Sequence, residues 1–256
     1  KLIIMDSYQT TIVTGASKGI GKKITLDLLS QNHNVVLIAR NKQALEQLCV
    51  EFKIEENRVL LLPYDITEIT NINTVLEKTI SKFGKIDNLV CNVGSGKSEK
   101  LGNENYNEWK KMFEINFFSA VNIIEKSTNY LANTKGSIIC ISSICGIQVI
   151  DGAPLTYSVA KNALNFYIKG ISRFLGKKGI RINGIAPGNI LFEGSSWSQK
   201  IKDNKEDVYK MINDEVPLNK FGTDEDISNL ATWLLSKKAA FVTGSIFVSD
   251  GGQTRI

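Results

Sequence analysis

The stretch Thr14-Gly15-Ala16-Ser17-Lys18-Gly19-Ile20-Gly21 decides the fold. A β-branched run precedes it at residues 10–14, and a helical pattern of apolar residues follows it at residues 20–29. In such a strand–turn–helix unit, glycines let the backbone approach a phosphate group that the first N–H groups of the helix can hold. The stretch therefore predicts a nucleotide-binding turn, with a glycine-rich turn without a ligand as the alternative. The expected contacts are Gly15, Ser17, Lys18, Gly19, Ile20 and Gly21.

Outward from this turn, short apolar runs alternate with helical patterns almost to the end of the chain. Strands are predicted at residues 10–14, 34–39, 58–64, 86–91, 137–142, 181–186 and 245–248. Helices are predicted at residues 20–29, 44–52, 72–83, 109–131, 157–175 and 226–235. The alternation predicts a single α/β domain over residues 1–256, a Rossmann-type doubly wound parallel sheet of seven strands with helices on both faces. Residues 1–9 are expected to be an N-terminal extension of this domain.

Composition excludes several classes of protein. Hydrophobic residues make up 43% of the 256 residues and charged residues 22%, as in ordinary globular proteins. No apolar run approaches the ~20 residues that cross a bilayer, and the first ten residues lack the pattern of a signal peptide. A cytoplasmic protein is therefore expected. The net charge of +5 comes from scattered lysines, so neither a nucleic acid nor a membrane is expected as a partner.

Histidine and cysteine usage narrows the chemistry. With His33 as the one histidine and no C-x-x-C spacing, neither a metal site nor a Ser-His-Asp triad is expected. The four cysteines are predicted to be reduced thiols: Cys49, Cys91, Cys140 and Cys145.

The residues after the second and third strands predict the nucleotide. No acidic residue stands at the end of the second strand, where an NAD site offers a carboxylate to the ribose; Arg40 stands there instead. Arg40, helped by Lys18, could pair with a 2′-phosphate, so NADP(H) is preferred and NAD(H) is the alternative. Asp65 is a candidate for the adenine amino group, and Ile66 beside it is counted among the cofactor contacts. Asn92, after the fourth strand, is expected to line the same crevice.

Tyr157 and Lys161 are the candidates for chemistry. They lie four residues apart on one predicted helix face, but Tyr106 and Lys110 share that spacing, so spacing alone is weak. Tyr157 differs because it follows a strand that ends in hydroxyls, from which Ser143 could hydrogen-bond a substrate carbonyl. The Lys161 ammonium is expected to lower the pKa of the Tyr157 phenol from ~10, which would suit it to proton transfer. The alternative is a half-buried tyrosine beside a surface lysine.

These features together resemble the short-chain dehydrogenase/reductase family from residue 10 to residue 255. The glycine turn, Asp65 and the sequence Cys91-Asn92-Val93-Gly94 match the family's motifs, with Cys91 in place of the family's first Asn. The resemblance implies that Asn116, Ser143, Tyr157 and Lys161 form a catalytic tetrad, in which Asn116 organises a water-linked proton relay to Lys161.

The same resemblance implies further contacts. Lys161 would also hold the nicotinamide ribose, and Tyr157 beside it is counted among the cofactor contacts. Pro187-Gly188 would form the turn beside the nicotinamide, and the Ile190 amide would contact its carboxamide. Ser143 lies 14 residues before Tyr157, one more than the commonest family spacing, so Ser142 remains an alternative for the Ser role. The family often has Thr where this chain has Phe192.

The resemblance also implies a lid, an assembly and a reaction. Residues 189–216 lie where the family places its substrate lid, in which Trp197 packs the lid or touches substrate. Lys97 is a solvated loop residue or a contact for an anionic substrate group. The chain end resembles the family's tetramer-forming tail, which implies a homotetramer. The pattern is most similar to the 3-oxoacyl-carrier-protein reductase branch, so a ketone/alcohol substrate is expected, with a carrier-bound acyl chain as the leading candidate. A sugar-derived or other polar ketone, and a non-catalytic NADP(H)-sensing protein, are the alternatives.

Overall fold

The structure, a computed structural model, describes residues 8–255; residues 1–7 of the predicted extension lie outside the described part. In chain order, the elements are β1 (Gln9–Thr14), α1 (Gly19–Ser30), β2 (His33–Ile38), α2 (Lys42–Glu51), β3 (Val59–Leu62), α3 (Ile69–Phe83), β4 (Asn88–Cys91), α4 (Tyr106–Phe113), α5 (Ser119–Thr134), β5 (Ser137–Ile141), α6 (Leu155–Gly176), β6 (Arg181–Pro187), β7 (Ile190–Leu191), α7 (Ser196–Asp203), α8 (Lys205–Glu215), β8 (Gly222–Thr223), α9 (Asp224–Leu235) and β9 (Ile246–Ser249).

Seven strands form a parallel sheet in the order β3-β2-β1-β4-β5-β6-β9. The chain runs from β1 outward to β3, returns to β4 on the other side of β1, and continues outward to β9. This reversal opens a crevice at the carboxyl ends of β1 and β4, where doubly wound folds bind their ligands. The predicted Rossmann-type fold of seven parallel strands is confirmed.

Both faces of the sheet are covered by helices. Adjacent β1 residues point to opposite faces, so Ile12 belongs to one apolar cluster and Val13 to the other. The cluster around Ile12 joins the sheet to α3, α5 and α6, and the cluster around Val13 joins it to α1, α2 and α9. Strands buried on both faces explain why the sequence shows continuous apolar runs rather than strict alternation.

Several element bounds differ from the sequence prediction, and the main differences lie at β1, α4 and the predicted lid. β1 begins at Gln9, the last residue of the predicted extension. The helix predicted at residues 109–131 begins earlier, because Asn105 accepts a hydrogen bond from Glu108 N at 3.1 Å and caps α4. A π-helical turn, Glu114–Phe118, then separates α4 from α5. The predicted lid contains β7, α7 and α8, and β7 pairs with β8 in a separate two-stranded sheet.

Candidate active site

The glycine turn lies between β1 and α1 at the crevice. Gly15 and Gly19 have φ of +68° and +52°, a region that side chains rarely adopt. A Cβ at Gly21 would collide with the Gly15 carbonyl oxygen. Lys18, at the N-cap of α1, makes no side-chain capping bond. A tight turn before a helix without a capping side chain fits the phosphate groups of a dinucleotide.

Asn92 fastens this turn to the start of the β4–α4 loop. Its Nδ2 donates to the carbonyl oxygens of Thr14 at 3.1 Å and Gly15 at 3.2 Å, and its backbone N–H donates to Thr14 Oγ1 at 2.9 Å. Asn92 thus lies in the crevice as expected, but its amide nitrogen is used to hold the backbone. The Thr14 hydroxyl, which the sequence did not single out, joins the same network.

The predicted adenosine contacts lie at the ends of the next strands. Arg40 Nη1 lies 3.7 Å from Asp65 Oδ2, with 80% of the Arg40 side chain exposed. Asp65 Oδ1 is occupied by Thr67, whose backbone N–H and hydroxyl both donate to it. Lys18 is exposed near this edge, whereas Ile66 is buried in the core and can offer only its backbone. A partly exposed acid and two exposed cations fit a ribose that carries a phosphate.

Tyr157 and Lys161 lie on α6, facing the ends of β4 and β5. The Lys161 Nζ lies 5.9 Å from the Tyr157 ring centroid and donates to the Ile141 carbonyl at 2.8 Å. Lys161 is buried, which excludes the alternative of a surface lysine. The competing pair lies elsewhere: Tyr106 is 78% exposed at the start of α4, and Lys110 is exposed.

The pKa values correct one expectation. Burial raises the pKa of Tyr157 to about 12, although the hydrogen bond from Ser143 opposes the shift. The sequence led us to expect a lowered pKa, and that was wrong for the protein without cofactor, because desolvation of the phenolate dominates. Burial also lowers the pKa of Lys161 to about 8, and the neighbouring Cys140 and Cys91 act in the opposite direction. At pH 7 the phenol therefore holds its proton and Lys161 remains mostly cationic.

The two candidate serines have different surroundings. Ser142 bonds to backbone carbonyls: its N–H donates to Ile185 O at 2.7 Å, and its hydroxyl donates to Lys161 O at 3.4 Å. Ser143 Oγ accepts the Cys145 N–H at 3.1 Å and interacts with the Tyr157 phenol. Ser143 is thus the serine that meets Tyr157. Cys145, which the sequence predicted only as a reduced thiol, lies in the turn that Ser143 caps.

Asn116 lies in the π-helical turn and is held from two sides. Its Oδ1 accepts the Ser95 N–H at 2.9 Å, and its Nδ2 donates to Ser95 O at 3.0 Å and Met112 O at 3.1 Å. A Cβ at Gly94 would lie 3.0 Å from both Asn116 Oδ1 and Lys161 Nζ. The structure therefore places the polar ends of the Asn116 and Lys161 side chains next to Gly94. Ser95, whose part the sequence did not reveal, fixes the Asn116 amide.

The residues expected beside the nicotinamide follow β6. Pro187 ends β6, and Gly188 N donates to Ser249 O at 3.0 Å. A Cβ at Gly188 would lie 2.7 Å from Asp250 Cβ, so glycine is required by this close approach. Ile190 is buried in β7 opposite Gly222.

Trp197 lies on α7 in the predicted lid, and Lys97 lies on the β4–α4 loop. The Trp197 ring centroid lies 5.5 Å from that of Phe221 and 4.2 Å from Lys200 Nζ. These contacts favour the expectation that Trp197 packs within the predicted lid. Lys97 is exposed on the β4–α4 loop. That loop meets the start of α6 through a 2.6 Å hydrogen bond between Ser98 and Thr156.

Other chemistry is sparse among residues 8–255. No group of three or more His, Cys, Asp and Glu side chains is arranged to hold a metal ion there. The four cysteines are free thiols, as predicted. None of the described helices is long and apolar enough to span a bilayer.

Comparison with known proteins gives the class. The family model described as enoyl-(acyl carrier protein) reductase matches residues 15–254. A 3-oxoacyl-[acyl-carrier-protein] reductase FabG of Staphylococcus aureus is 29% identical over 251 residues, which cover 97% of this chain and 99% of the relative.

Solved structures agree with that relationship. An L-sorbose reductase from Gluconobacter frateurii, complexed with NADPH and L-sorbose, has a TM-score of 0.90 at 28% identity, covering 98% of both chains. A 7α-hydroxysteroid dehydrogenase complexed with NADH and 7-oxo glycochenodeoxycholic acid has a TM-score of 0.87 at 27% identity, covering 97% of this chain and 95% of that one.

Fold and comparisons together define an oxidoreductase of Rossmann type. The chain belongs to the short-chain dehydrogenase/reductase family, as its motifs predicted, and is similar to the 3-oxoacyl-[acyl-carrier-protein] reductase branch. Neighbours complexed with NADPH and, in one case, NADH agree with the prediction of NADP(H) with NAD(H) as the alternative.

Proposed function

We propose that the protein reduces a ketone to a secondary alcohol with NADP(H), and that Tyr157 is the general acid. The observation that carries this proposal is the half-buried phenol of Tyr157, which keeps its proton at pH 7, beside Ser143 and the buried Lys161 at the carboxyl edge of the sheet. A phenol that keeps its proton at pH 7 is suited to donate it to an alkoxide that forms in the active site. The proposal therefore assigns the reducing direction, with Tyr157 as the base in the reverse direction.

The neighbouring side chains position and stabilise this proton transfer. Ser143 would donate a hydrogen bond from its hydroxyl to the developing oxyanion, which takes its proton from Tyr157. Lys161, fixed by its bond to Ile141 O, would stabilise the phenolate that Tyr157 becomes after donating its proton. Asn116, held by Ser95, would support a water-linked relay that returns a proton to this site. These assignments are supported by the contacts of each side chain with the elements around it.

The cofactor would lie across the carboxyl edge, and when bound it supplies the hydride. Gly15, Ser17, Gly19, Ile20 and Gly21 would hold its pyrophosphate, with Asn92 fixing their turn. The remaining contacts would be made at its two ends by Lys18, Arg40, Asp65, the backbone of Ile66, Tyr157, Lys161, Pro187, Gly188 and Ile190. The exposed Arg40 and Lys18 support NADP(H) over NAD(H), because a guanidinium pairs well with a phosphate.

For the substrate we propose a 3-oxoacyl thioester, supported by the 29% identity to FabG along nearly the whole chain. A polar, sugar-derived ketone is the second candidate, supported by the similarity to the sorbose reductase. A homotetramer is also proposed, supported by the exposed Phe166 and Phe174 on α6. A cytoplasmic location stays a prediction.

Steady-state NADPH oxidation against a matched panel tests the reaction and the substrate. The panel holds a 3-oxoacyl thioester, a ketose and an enoyl thioester of the same chain length as the first. We expect the highest kcat/KM with the 3-oxoacyl thioester. Turnover of the ketose alone would replace the acyl assignment, and turnover of the enoyl thioester alone would contradict ketone reduction. NADPH binding without turnover of any ketone would favour the sensing protein.

A further inference from the structure

Phe192 stands at the point where the lid meets the glycine turn. A Cβ at Gly19 would lie 2.5 Å from the Phe192 Cε2 and Cζ atoms and 3.0 Å from Cδ2. The ring thus fills the space that Gly19 leaves open at the start of α1. The ring is partly buried and packs against the apolar cluster that contains Val13, Ala16 and Ile190.

While the Phe192 ring occupies the space beside Gly19, a phosphate group cannot lie there. A phosphate oxygen must come within about 2.9 Å of an N–H group to accept a hydrogen bond. The apolar ring cannot accept hydrogen bonds from the first N–H groups of α1, as a phosphate would. The Lys18 side chain does not accept them either. A pyrophosphate that approached Gly19 from this side would meet the Phe192 ring.

The backbone of Phe192 ties the ring to the lid. β7 is paired with β8 just before it, which fixes the chain on that side. On the other side, Phe192 N donates to Ser195 Oγ at 3.4 Å, and Ser195 N donates to Phe192 O at 3.0 Å. The Ser195 hydroxyl also accepts the Ser198 N–H at 3.1 Å and so caps α7. A displacement of Phe192 would therefore disturb the cap at the first turn of α7.

We propose that Phe192 is a plug on the phosphate-binding turn, which the cofactor displaces when it binds and which couples cofactor binding to the position of α7. This inference rests on the proposed function, since it assumes that NADP(H) binds at Gly15–Gly21. The protein without cofactor then lowers its own cofactor affinity.

The experiment compares NADPH binding by the full-length chain and its Phe192 variants, using fluorescence titration and stopped-flow mixing. Partial burial of a phenyl ring favours the plugged position by roughly tenfold, and the apparent Kd is weakened by the same factor. We therefore expect Phe192→Ala to lower the NADPH Kd by about tenfold and to raise the association rate. Phe192→Leu should change both in the same direction by less, which protects the test against misfolding of the alanine variant.

Two controls separate the plug from other effects. Adenosine 2′-monophosphate, which lacks the pyrophosphate, should bind equally well to the wild type and to Phe192→Ala. Phe221→Leu disturbs the aromatic contacts of the lid with Trp197 and Tyr209 and should leave the NADPH Kd unchanged. Hydrogen exchange at residues 192–198 should change when NADPH binds to the wild type.

Failure of the Phe192 plug and failure of the proposed NADP(H)-dependent function give different results in this experiment. An unchanged or weaker NADPH affinity in both Phe192 variants would overturn the plug, while NADPH binding by the wild type would leave the proposed function intact. If neither the wild type nor any variant bound NADPH or adenosine 2′-monophosphate, the proposed function would fail and the inference with it. NADPH binding that appears only in the Phe192 variants would support the plug.

Discussion

At the scale of the residue, surroundings rather than spacing give Tyr157 its chemistry. Tyr157 and Tyr106 both precede a lysine by four positions, but only Tyr157 lies in the crevice with Ser143 and a buried lysine. Burial alone would make its phenol a very weak acid. The neighbours that hydrogen-bond the phenol or stabilise the phenolate determine whether the proton can be transferred.

Tyr157→Phe should abolish most of the ketone reduction while leaving NADPH binding in place. Loss of a general acid costs roughly 10²- to 10⁴-fold in rate, so we expect a fall in kcat of that size with a similar NADPH Kd. The matched control is Tyr106→Phe, which removes the same hydroxyl from a tyrosine with the same spacing to lysine and should retain full activity. Equal activity of Tyr157→Phe and the wild type would show that Tyr157 is not the general acid.

Arg40→Ala should weaken NADPH binding without affecting NADH binding. A charge-assisted hydrogen bond contributes roughly 1.5–3 kcal/mol, and the exposure of Arg40 places the effect at the lower end, about tenfold in Kd. The measurement is fluorescence titration with both nucleotides. Arg173→Ala, on α6 and remote from β2, is the control. Equal weakening of both nucleotides would mean that Arg40 does not distinguish them.

At the scale of the element, β1 and β2 are joined by more than their ladder. His33 begins β2, and its Nδ1 lies 2.9 Å from Thr11 Oγ1 on β1. Burial lowers the pKa of His33 from 6.5 to about 4; Asp87 opposes this shift, and Arg58 and Lys85 add to it. A histidine that must stay neutral in the fold makes this edge of the sheet sensitive to acid.

Acid should therefore destabilise the wild type more than a His33→Asn variant. Below pH 6.5 the unfolded chain binds a proton at His33 that the folded chain does not bind until about pH 4. The stability contributed by neutral His33 is thus present above pH 6.5 and falls by up to about 1.4 kcal/mol per pH unit, about 3 kcal/mol in total, as the pH drops to 4.

Urea unfolding of both proteins at pH 7, 6 and 5 measures this contribution. The variant shares all other titrating groups, so the difference in unfolding free energy between the two proteins isolates His33. We expect this difference to change with pH in favour of the variant. A constant difference from pH 7 to pH 5 would mean that His33 titrates alike in both states.

At the scale of the whole molecule, the order of the strands brings distant residues to one crevice. The turn after β1, the β4–α4 loop, the end of β5 and the segment after β6 all lie at the carboxyl edge. On the outside of the molecule, α6 leaves large apolar side chains in contact with solvent. Phe166 is 78% exposed there, which a homotetramer would cover.

Light scattering coupled to size exclusion should find a tetramer of the wild type, and Phe166→Glu should dissociate it. A charge at the centre of an apolar contact is not compensated when the contact forms. Val50→Glu places the same charge on α2, at a residue that is 79% exposed, and should leave the tetramer intact. A monomeric wild type, or equal dissociation by both variants, would remove α6 from the proposed interface.

The sequence by itself determined the fold and the identity of most candidate residues. Alternating apolar runs and helical patterns specify βαβ units, and parallel strands place their carboxyl ends together, so the turn at residues 14–21 and Tyr157 could be assigned to one edge. Local signals also have limits. The predicted helix at residues 109–131 missed the cap at Asn105 and the π-helical turn around Asn116, because periodicity carries no information on the hydrogen bonds that form them.

Only the tertiary structure decided what each of these residues touches. It assigned Ser142 to the backbone and Ser143 to the phenol, because the two hydroxyls point to different neighbours. It reversed the expected pKa shift of Tyr157, because burial depends on every element packed around the ring. It also placed Phe192 beside Gly19, a contact between residues far apart in the chain that no local pattern encodes. Desolvation and packing are sums over neighbours from the whole chain, and a motif describes only the residues next to it.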